Sequence, residues 1–293
     1  MSIDFGAHST STRLCSVAVR RPPAALATAD PAAWHYTAPI DLGRARAEHR
    51  RFVELLAASG ADVLFIDDQP DEQPDSVFTY DASLVTGGGA VLFHMGKVGR
   101  RPEADLHEEF YGRVGIPILG RVEAPGTIEG GDTLWVDEHT LAVGRGFRTN
   151  DDGVGQLAAI MASIDVEVVP FDLPFHHGAE ACLHLMSLVS ICAPDLALVH
   201  LPLMPVRLVE LLESRGYELV VASADEFTRT GGISCNVLAT APRTILMVEG
   251  APQTEAVLRD AGCTVNTFPG VDICAKTEGG PTCLTRPLLR LGA

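Results

Sequence analysis

The sequence is poor in positive charge. It contains 22 Lys and Arg residues against 38 Asp and Glu, which gives a formal net charge of −16. Lys and Arg form no run longer than a pair, as in Arg20-Arg21 and Arg100-Arg101, whereas surfaces that bind nucleic acid or anionic membranes need a basic patch. We therefore expect no nucleic-acid and no membrane partner. The acidic balance suits a cationic small-molecule substrate, and it serves solubility equally well.

The cysteines form no framework. Their number is odd and none lies in a CxxC pair, so neither a disulfide scaffold nor a zinc site is predicted. The chain does not open on a secretory signal, and no apolar run approaches the roughly 20 residues that span a bilayer. We expect a cytoplasmic protein with reduced thiols. The cysteines are Cys15, Cys182, Cys192, Cys235, Cys263, Cys274 and Cys283.

Familiar cofactor motifs are also missing. There is no GxSxG elbow, no Walker loop and no GxGxxG after a predicted strand. His176-His177 has no acidic or third histidine partner at the spacing of a zinc protease, so no metal site is predicted.

Strand pairs alternate with single helices along the whole chain, and no linker divides it. This order indicates an α/β protein of repeated ββαβ units rather than a doubly wound sheet, and we interpret residues 1–293 as a single domain. The sequence does not decide whether copies form a homo-oligomer. Strands are predicted at Leu14–Val19, Asp62–Ile66, Ala82–Thr86, Ala90–Phe93, Thr133–Val136, Thr140–Val143, Glu167–Phe171, Leu196–His200, Glu218–Ala222, Asn236–Ala239, Thr244–Val248 and Thr264–Phe268, with a last apolar stretch at Leu284–Leu289. Helices are predicted at Ala45–Ala58, Glu103–Val114, Asp151–Ile164, Pro205–Arg215 and Thr254–Ala261; an acidic turn covers 67–75, and a long connection runs to Pro39.

A thiol follows a stiff turn near the C-terminus. Gly279-Gly280-Pro281-Thr282 leads directly into Cys283, and such a turn can aim a sulfur while its glycines allow close approach. Most unpaired cysteines are simply buried, so the motif alone fits a structural role as well as a nucleophile.

Three other segments carry reactive side chains, and each also has an ordinary structural reading. Glu129-Gly130-Gly131-Asp132 presents two carboxylates on a glycine turn. His184 lies in an apolar run, where a lone histidine is often a core residue. Asp75 and Asp81 bracket Phe78 in an acidic, aromatic loop that can hold a planar cation.

Taken together, these segments resemble the dimethylarginine dimethylaminohydrolase branch of the guanidino-group-modifying superfamily, beside arginine deiminases and amidinotransferases. They occur in the order of that family and span almost the whole chain. The matching residues are Pro74-Asp75-Ser76-Val77-Phe78, Asp81, Glu129-Gly130-Gly131-Asp132, Arg148-Thr149-Asn150, Leu183-His184-Leu185, Cys235-Asn236-Val237-Leu238 and Gly279-Gly280-Pro281-Thr282-Cys283-Leu284-Thr285-Arg286-Pro287.

The resemblance implies an α/β propeller of five ββαβ units with pseudo-fivefold symmetry, a central active site and no cofactor. It implies hydrolysis of a C–N bond at the central carbon of a guanidine-like substrate through a cysteine-linked intermediate. Cys283 would be the nucleophile, His184 the general acid and base, and Glu129 the acid that orients His184 or holds the guanidine. Asp75 and Asp81 would bind the cationic nitrogens of the substrate, Arg148 would lie near its carboxylate end, and Phe78 and His94 would also bind it.

One departure from the family pattern bears on the substrate. His94 stands where arginine-processing relatives carry an arginine that grips the substrate carboxylate, and imidazole is a poorer bidentate partner than guanidinium. We therefore expect methylated arginine to be a poorer substrate than a guanidine without an α-amino-acid head. Three alternatives stay open: a hydrolase of a cyclic guanidine-like carbon, as in a 2-nitroimidazole; an amidinotransferase; and a binding or scaffolding protein that has the propeller fold without catalysis.

Overall fold

Five separate three-stranded sheets make up the β-structure of this computed structural model, which describes residues 2–66, 72–179, 181 and 183–291. In every sheet one neighbour of the middle strand is antiparallel and the other is parallel. The strands, by sheet, are β15 (Arg286–Leu291), β1 (Arg13–Val19) and β2 (Asp62–Phe65); β3 (Ser83–Thr86), β4 (Gly89–Leu92) and β5 (Ile118–Arg121); β6 (Thr133–Asp137), β7 (Thr140–Arg145) and β8 (Glu167–Asp172); β9 (Val189–Ala193), β10 (Leu196–Val199) and β11 (Glu218–Val221); β12 (Leu238–Ala241), β13 (Thr244–Val248) and β14 (Thr264–Phe268).

A helix connects the middle strand of each sheet to its parallel neighbour, as such a crossover requires. These five helices are α3 (Leu42–Ala58), α4 (Glu103–Val114), α5 (Asp151–Ala162), α6 (Val206–Ser214) and α8 (Pro252–Asp260). Three shorter helices lie outside the repeat: α1 (Ala25–Thr28), α2 (Pro31–Trp34) and α7 (Ala224–Arg229). None of the helices in the described part of the chain is both long and apolar enough to cross a membrane.

The first sheet is completed by the end of the chain, because β15 pairs antiparallel with β1. Every sheet therefore has the same ββαβ form, and one of the five units is assembled from both ends of the sequence. Contacts between units include first strands: β12 contacts β9, β15 contacts β3, and β12 also contacts the middle strand β1. This confirms the five-bladed α/β propeller class; the sheets stay separate and do not join into one closed barrel.

The repeat follows from simple local rules. Asp41 starts α3 by accepting a hydrogen bond from the backbone N–H of Arg44 at 3.0 Å, and Gly60, with a φ of 88°, follows the helix end. One face of α3 buries Ala45, Phe52 and Leu56. Middle strands such as β10 are buried at every position, which explains their continuous apolar sequence.

Five elements escaped prediction: β5, β9, α7 and the short helices α1 and α2. β5 is short and partly exposed and contains Gly120, which weakens a strand pattern. β9 is fully buried, so its residues show no alternation and merge with the apolar run after His184. The short helix α7 was missed as well, and the last apolar stretch begins its strand at Arg286, two residues after the predicted Leu284.

Two predicted features fall at least partly outside the described residues. The acidic turn expected at 67–75 is described only from residue 72 onward, and Cys182 is not described. The long connection to Pro39 contains α1 and α2 and continues into Tyr36, which is buried.

A buried carboxylate joins α3 to the segment that precedes Cys283. The Glu48 carboxylate accepts backbone hydrogen bonds from Val271, Asp272 and Ile273 at 2.8–3.0 Å. These donors begin the helical turn Val271–Ala275, so Glu48 supplies acceptors that the turn itself lacks.

We predict that Glu48→Ala lowers the free energy of unfolding by about 2–4 kcal/mol, because it leaves buried N–H groups without acceptors. Urea denaturation would measure the change. The control is Glu54→Ala on the same helix, where an exposed carboxylate pairs with Arg51 and with no other described residue, and the cost should stay within about 0.5 kcal/mol. Equal losses in both variants would contradict the capping role of Glu48.

Candidate active site

The first strand of each ββαβ unit is its inner strand; these are β3, β6, β9, β12 and β15. Each inner strand is preceded by a short turn, and these five turns bring polar side chains together. Four are 3₁₀ turns, at Pro74–Val77, Gly130–Asp132, Leu185–Ser187 and Ile233–Cys235, and the fifth is the turn 281–284 before β15. A cleft at this end of the sheets is lined by six of the side chains in question: Asp75, Asp81, Glu129, Arg148, His184 and Cys283. Asp75, Glu129, His184 and Cys283 lie in or next to these turns, so residues distant in sequence meet because they occupy equivalent places in the repeat. Arg148 reaches the cleft from the loop between β7 and α5.

Cys283 is held on a turn packed tightly from two sides. A methyl group added to Gly279 would lie 2.2 Å from Cε1 of Phe78, and one on Gly280 would lie 2.3 Å from Oδ1 of Asn236. Neighbouring protein groups therefore require glycine at both positions, whether or not a substrate also approaches them. Asn236 also donates from Nδ2 to the Cys283 sulfur at 3.4 Å and accepts from the Thr282 N–H at 3.2 Å.

Among the six described cysteines, accessibility separates Cys283 from most others. Burial raises the pKa of Cys192 to about 12 and raises the pKa of Cys235, Cys263 and Cys274 as well. Cys283 and Cys15 are only partly buried. Of these two, Cys283 lines the cleft, and thiols of this kind are the reactive ones in proteins.

His184 and Glu129 form a buried pair. Nε2 of His184 lies 2.7 Å from Oε2 of Glu129, and the two residues are 6% and 0% exposed. Gly131 lies directly against the other side of the imidazole, since a methyl group there would come within 2.4 Å of Nδ1. The ring is consequently fixed in both position and orientation.

Glu129 is satisfied on its second oxygen too. Oε1 accepts the backbone N–H of Lys97 at 2.8 Å and lies 3.4 Å from Nη1 of Arg148. Burial alone would raise the pKa of Glu129, but the hydrogen bond and charge of His184, with Arg148, hold that pKa well below its usual range. The carboxylate is therefore ionised and can stabilise a protonated imidazole.

Asp132 stabilises the turn that follows Glu129 through hydrogen bonds to two other segments. Its carboxylate accepts the Thr149 hydroxyl at 2.6 Å and the Leu185 N–H at 3.0 Å, which ties the Glu129 turn to the residue after His184. Burial raises the pKa of Asp132 to about 6, and these hydrogen bonds offset the rise only in part.

Asp81 has protein partners on both oxygens. Oδ1 accepts the Gly131 N–H at 2.8 Å, and Oδ2 pairs with Nη1 of buried Arg100 at 2.6 Å. Arg100 also forms a two-point pair with Glu103 at 2.8 and 2.9 Å. Asp81 thus lines the cleft and also positions the turn that holds Glu129.

Asp75 is similarly occupied. Oδ1 accepts the Tyr36 hydroxyl and Oδ2 pairs with Nζ of Lys97, both at 2.6 Å. Phe78 lines the cleft beside Gly279. His94 does not: its Nδ1 lies 2.6 Å from the Gly126 carbonyl oxygen, and the ring is not among the side chains that line the cleft.

Several residues of the site were not predicted as such. Lys97, Arg100, Glu278 and Trp34 line the cleft, and Asn236 contacts the Cys283 sulfur. Arg100 and Glu103 carried a signal, because opposite charges three residues apart at a helix start often pair. Lys97 carried none, because its contact with Asp75 depends on how two loops fold together.

Comparisons with known proteins agree with this architecture. The sequence pattern described as "N,N dimethylarginine dimethylhydrolase, eukaryotic" matches residues 32–288. The chain is 31% identical over 257 residues to an N(G),N(G)-dimethylarginine dimethylaminohydrolase of Streptomyces coelicolor, covering 86% of this chain and 89% of that protein. It is 26% identical over 262 residues to an arginine deiminase of Listeria welshimeri, covering 75% and 63% of the two chains.

Solved structures show the same fold. A mutant dimethylarginine dimethylaminohydrolase from Pseudomonas aeruginosa, complexed with citrulline, superposes with a TM-score of 0.77 at 23% identity, covering 94% of this chain and 99% of that one. An amidinotransferase of the saxitoxin pathway from Microseira wollei gives a TM-score of 0.80 at 15% identity, with coverage of 99% and 98%.

The five ββαβ sheets and these relatives define a guanidino-group-modifying enzyme of the hydrolase type. Within that class, the chain belongs to the N,N-dimethylarginine dimethylhydrolase family. Its reaction is hydrolysis of a C–N bond in a guanidino group.

The packing of Gly131 against His184 gives a direct test. We predict that Gly131→Ala lowers kcat/KM on the order of 100-fold, because a methyl group there must displace the imidazole of His184. A displacement of about 1 Å in a catalytic group can cost that much activity. Steady-state kinetics would measure it. The control is Gly155→Ala in α5, where nothing lies within 4 Å of the added methyl and activity should be unchanged; a fully active Gly131→Ala enzyme would contradict the placement of His184.

A second test uses the pKa of Asp132. The folded protein binds this proton more tightly than the unfolded chain, whose aspartates titrate near pH 3.9, so ionisation opposes folding above that pH. We predict that the stability of Asp132→Asn relative to wild type improves between pH 5 and pH 8, by on the order of 1–1.5 kcal/mol. Urea midpoints across this range would show it, and a difference that does not vary with pH would contradict it.

Proposed function

We propose that Cys283 is the nucleophile of this hydrolase, His184 its general acid and base, and Glu129 the residue that orients and charges the imidazole. The observation that carries the proposal is the arrangement itself: Cys283 and His184 line one cleft, and Oε2 of Glu129 lies 2.7 Å from Nε2 of His184. A nucleophile and a base that is oriented by a third group are the recurring parts of covalent catalysis.

The substrate is a guanidine-like small molecule. Its central carbon is a weak electrophile because the positive charge is shared among three nitrogens. The carboxylates of Asp81 and Glu129 border the cleft, and negative charge near the N–H groups would hold the cation and localise its charge. A bound cation would in turn favour the thiolate form of Cys283.

The reaction then proceeds in two halves. The Cys283 thiolate attacks the guanidinium carbon, His184 gives a proton to one nitrogen, and that nitrogen leaves as an amine while the carbon stays bonded to sulfur. His184 next takes a proton from water, the hydroxide adds to the carbon, and the C–S bond breaks to return the thiolate and release a urea. Because Nε2 of His184 is bonded to Glu129, Nδ1 would exchange the proton in the cleft.

Proton transfer of this kind typically contributes about 10²–10⁴-fold to rate. The ionised state of Glu129 supports it, because a carboxylate at 2.7 Å stabilises the imidazolium that forms when His184 accepts a proton from water. Asn236, which donates to the sulfur at 3.4 Å, would steady the thiolate through the same bond.

We also propose that the chain acts as a single domain in the cytoplasm. Pairing of β15 with β1 places both ends of the chain in one sheet, which supports one folding unit. No disulfide joins the six described cysteines to one another, and a mechanism that needs a reduced Cys283 fits a reducing compartment.

The nucleophile is tested by replacement and by labelling. We predict that Cys283→Ser folds normally but loses nearly all turnover, because a serine hydroxyl is not ionised at neutral pH. Chloroacetamidine, a guanidine-like alkylating agent, should modify Cys283 alone and abolish activity. The matched control is Cys15→Ser, which removes the other partly exposed thiol and should leave turnover and labelling unchanged; substantial turnover by folded Cys283→Ser would refute the mechanism.

A further inference from the structure

An ammonium group of the protein occupies the cation site of the cleft. Nζ of Lys97 lies 2.6 Å from Oδ2 of Asp75, and the Tyr36 hydroxyl occupies the other oxygen at the same distance. Lys97 is further held by the Trp34 carbonyl oxygen at 3.0 Å, and its Nζ lies 4.7 Å from the centre of the Trp34 ring. Asp75 is therefore already paired with a cation of the protein, whereas the family resemblance implies that Asp75 binds a cation of the substrate.

This pairing has consequences for what can bind. The side chains of Lys97 and Asp75 are 16% and 6% exposed, so the pair is partly shielded from water, and a second ammonium placed beside Asp75 would be repelled by the first unless it displaced it. Glu278, also on the cleft wall, lies within electrostatic range of His35, Lys97 and Arg148. Asp75 is thus paired with a cation of the protein, and burial raises the pKa of Glu278.

The same end of the cleft offers donors to an anion. An ammonium has three N–H groups; two of those on Lys97 are used by Asp75 and Trp34, and no acceptor for the third is found in the described part of the chain. Arg148 adds a second positive charge on the cleft wall. A substrate carboxylate entering here would meet the charged donor Lys97, which follows His94 by three residues in the sequence.

We infer that the substrate is a guanidino acid whose tail ends in a carboxylate and carries no ammonium group, and that Lys97 sets this preference. The inference rests on the proposed function of the site and adds the chemical class of the tail. Lys97 acts in two ways: it excludes a substrate ammonium from Asp75 and donates to the substrate carboxylate.

Four compounds of similar length separate the two effects. Arginine has both groups, 5-guanidinopentanoate has only the carboxylate, agmatine has only the ammonium, and butylguanidine has neither. Each is assayed unsubstituted and with a dimethylated terminal nitrogen, and ureido product is measured. We expect kcat/KM for 5-guanidinopentanoate to exceed that for arginine and for butylguanidine by about 10–100-fold, the range spanned by one hydrogen bond to a charged group.

Lys97→Met tests the residue itself, because it keeps the apolar stem and removes the ammonium. We expect the ratio of kcat/KM for 5-guanidinopentanoate to that for arginine to fall at least about tenfold, since Asp75 is opened to the arginine ammonium. A ratio is insensitive to a general loss of active enzyme. The control is Arg101→Met, which removes a nearby cation that bonds Met95 outside the cleft; its ratio should equal that of wild type.

The outcomes are distinct. Turnover with arginine equal to or better than 5-guanidinopentanoate, or a ratio unchanged in Lys97→Met, overturns the inference and leaves the hydrolase mechanism standing. No ureido product from any compound, together with no labelling of Cys283 by chloroacetamidine, overturns the proposed function and this inference with it.

Discussion

The site depends on one fully buried carboxylate. Glu129 must remain ionised without contact with water, which is costly unless each oxygen has a partner. His184 satisfies one oxygen, and the Lys97 backbone and Arg148 satisfy the other. These partners come from three different connections, so the loops around the cleft cannot rearrange independently. The same constraint fixes the imidazole, and a fixed imidazole is what a general acid and base requires.

The propeller supplies this convergence through repetition. Five turns precede five inner strands, and each turn delivers a side chain to one end of the sheets. Buried carboxylates then join neighbouring turns: Asp81 bonds Gly131, and Asp132 bonds Leu185. Glu48 does the same at the outer edge for the segment that leads to Cys283. Polar residues that hold backbone N–H groups therefore account for much of the order around the cleft.

Much of this could be predicted from sequence, and the exceptions have physical causes. The ββαβ repeat follows from periodicity and caps, and the candidate residues were found because their spacing resembles a known family. β9 was missed because a strand buried on both faces has no alternation. Lys97 was missed because its partners, Asp75 and Trp34, are 22 and 63 residues away. His94, read from its position alone, faces Gly126 and not the cleft.

We propose that hydrolysis passes through an intermediate in which the substrate carbon is bonded to the sulfur of Cys283. Acid-quenching the enzyme during turnover and mapping its peptides by mass spectrometry tests this most directly. We predict that the Cys283 peptide gains the mass of the substrate minus its departing amine, and that this gain vanishes when substrate is exhausted. A covalent adduct on another residue that forms and decays at the rate of turnover, with Cys283 unmodified throughout, would contradict it.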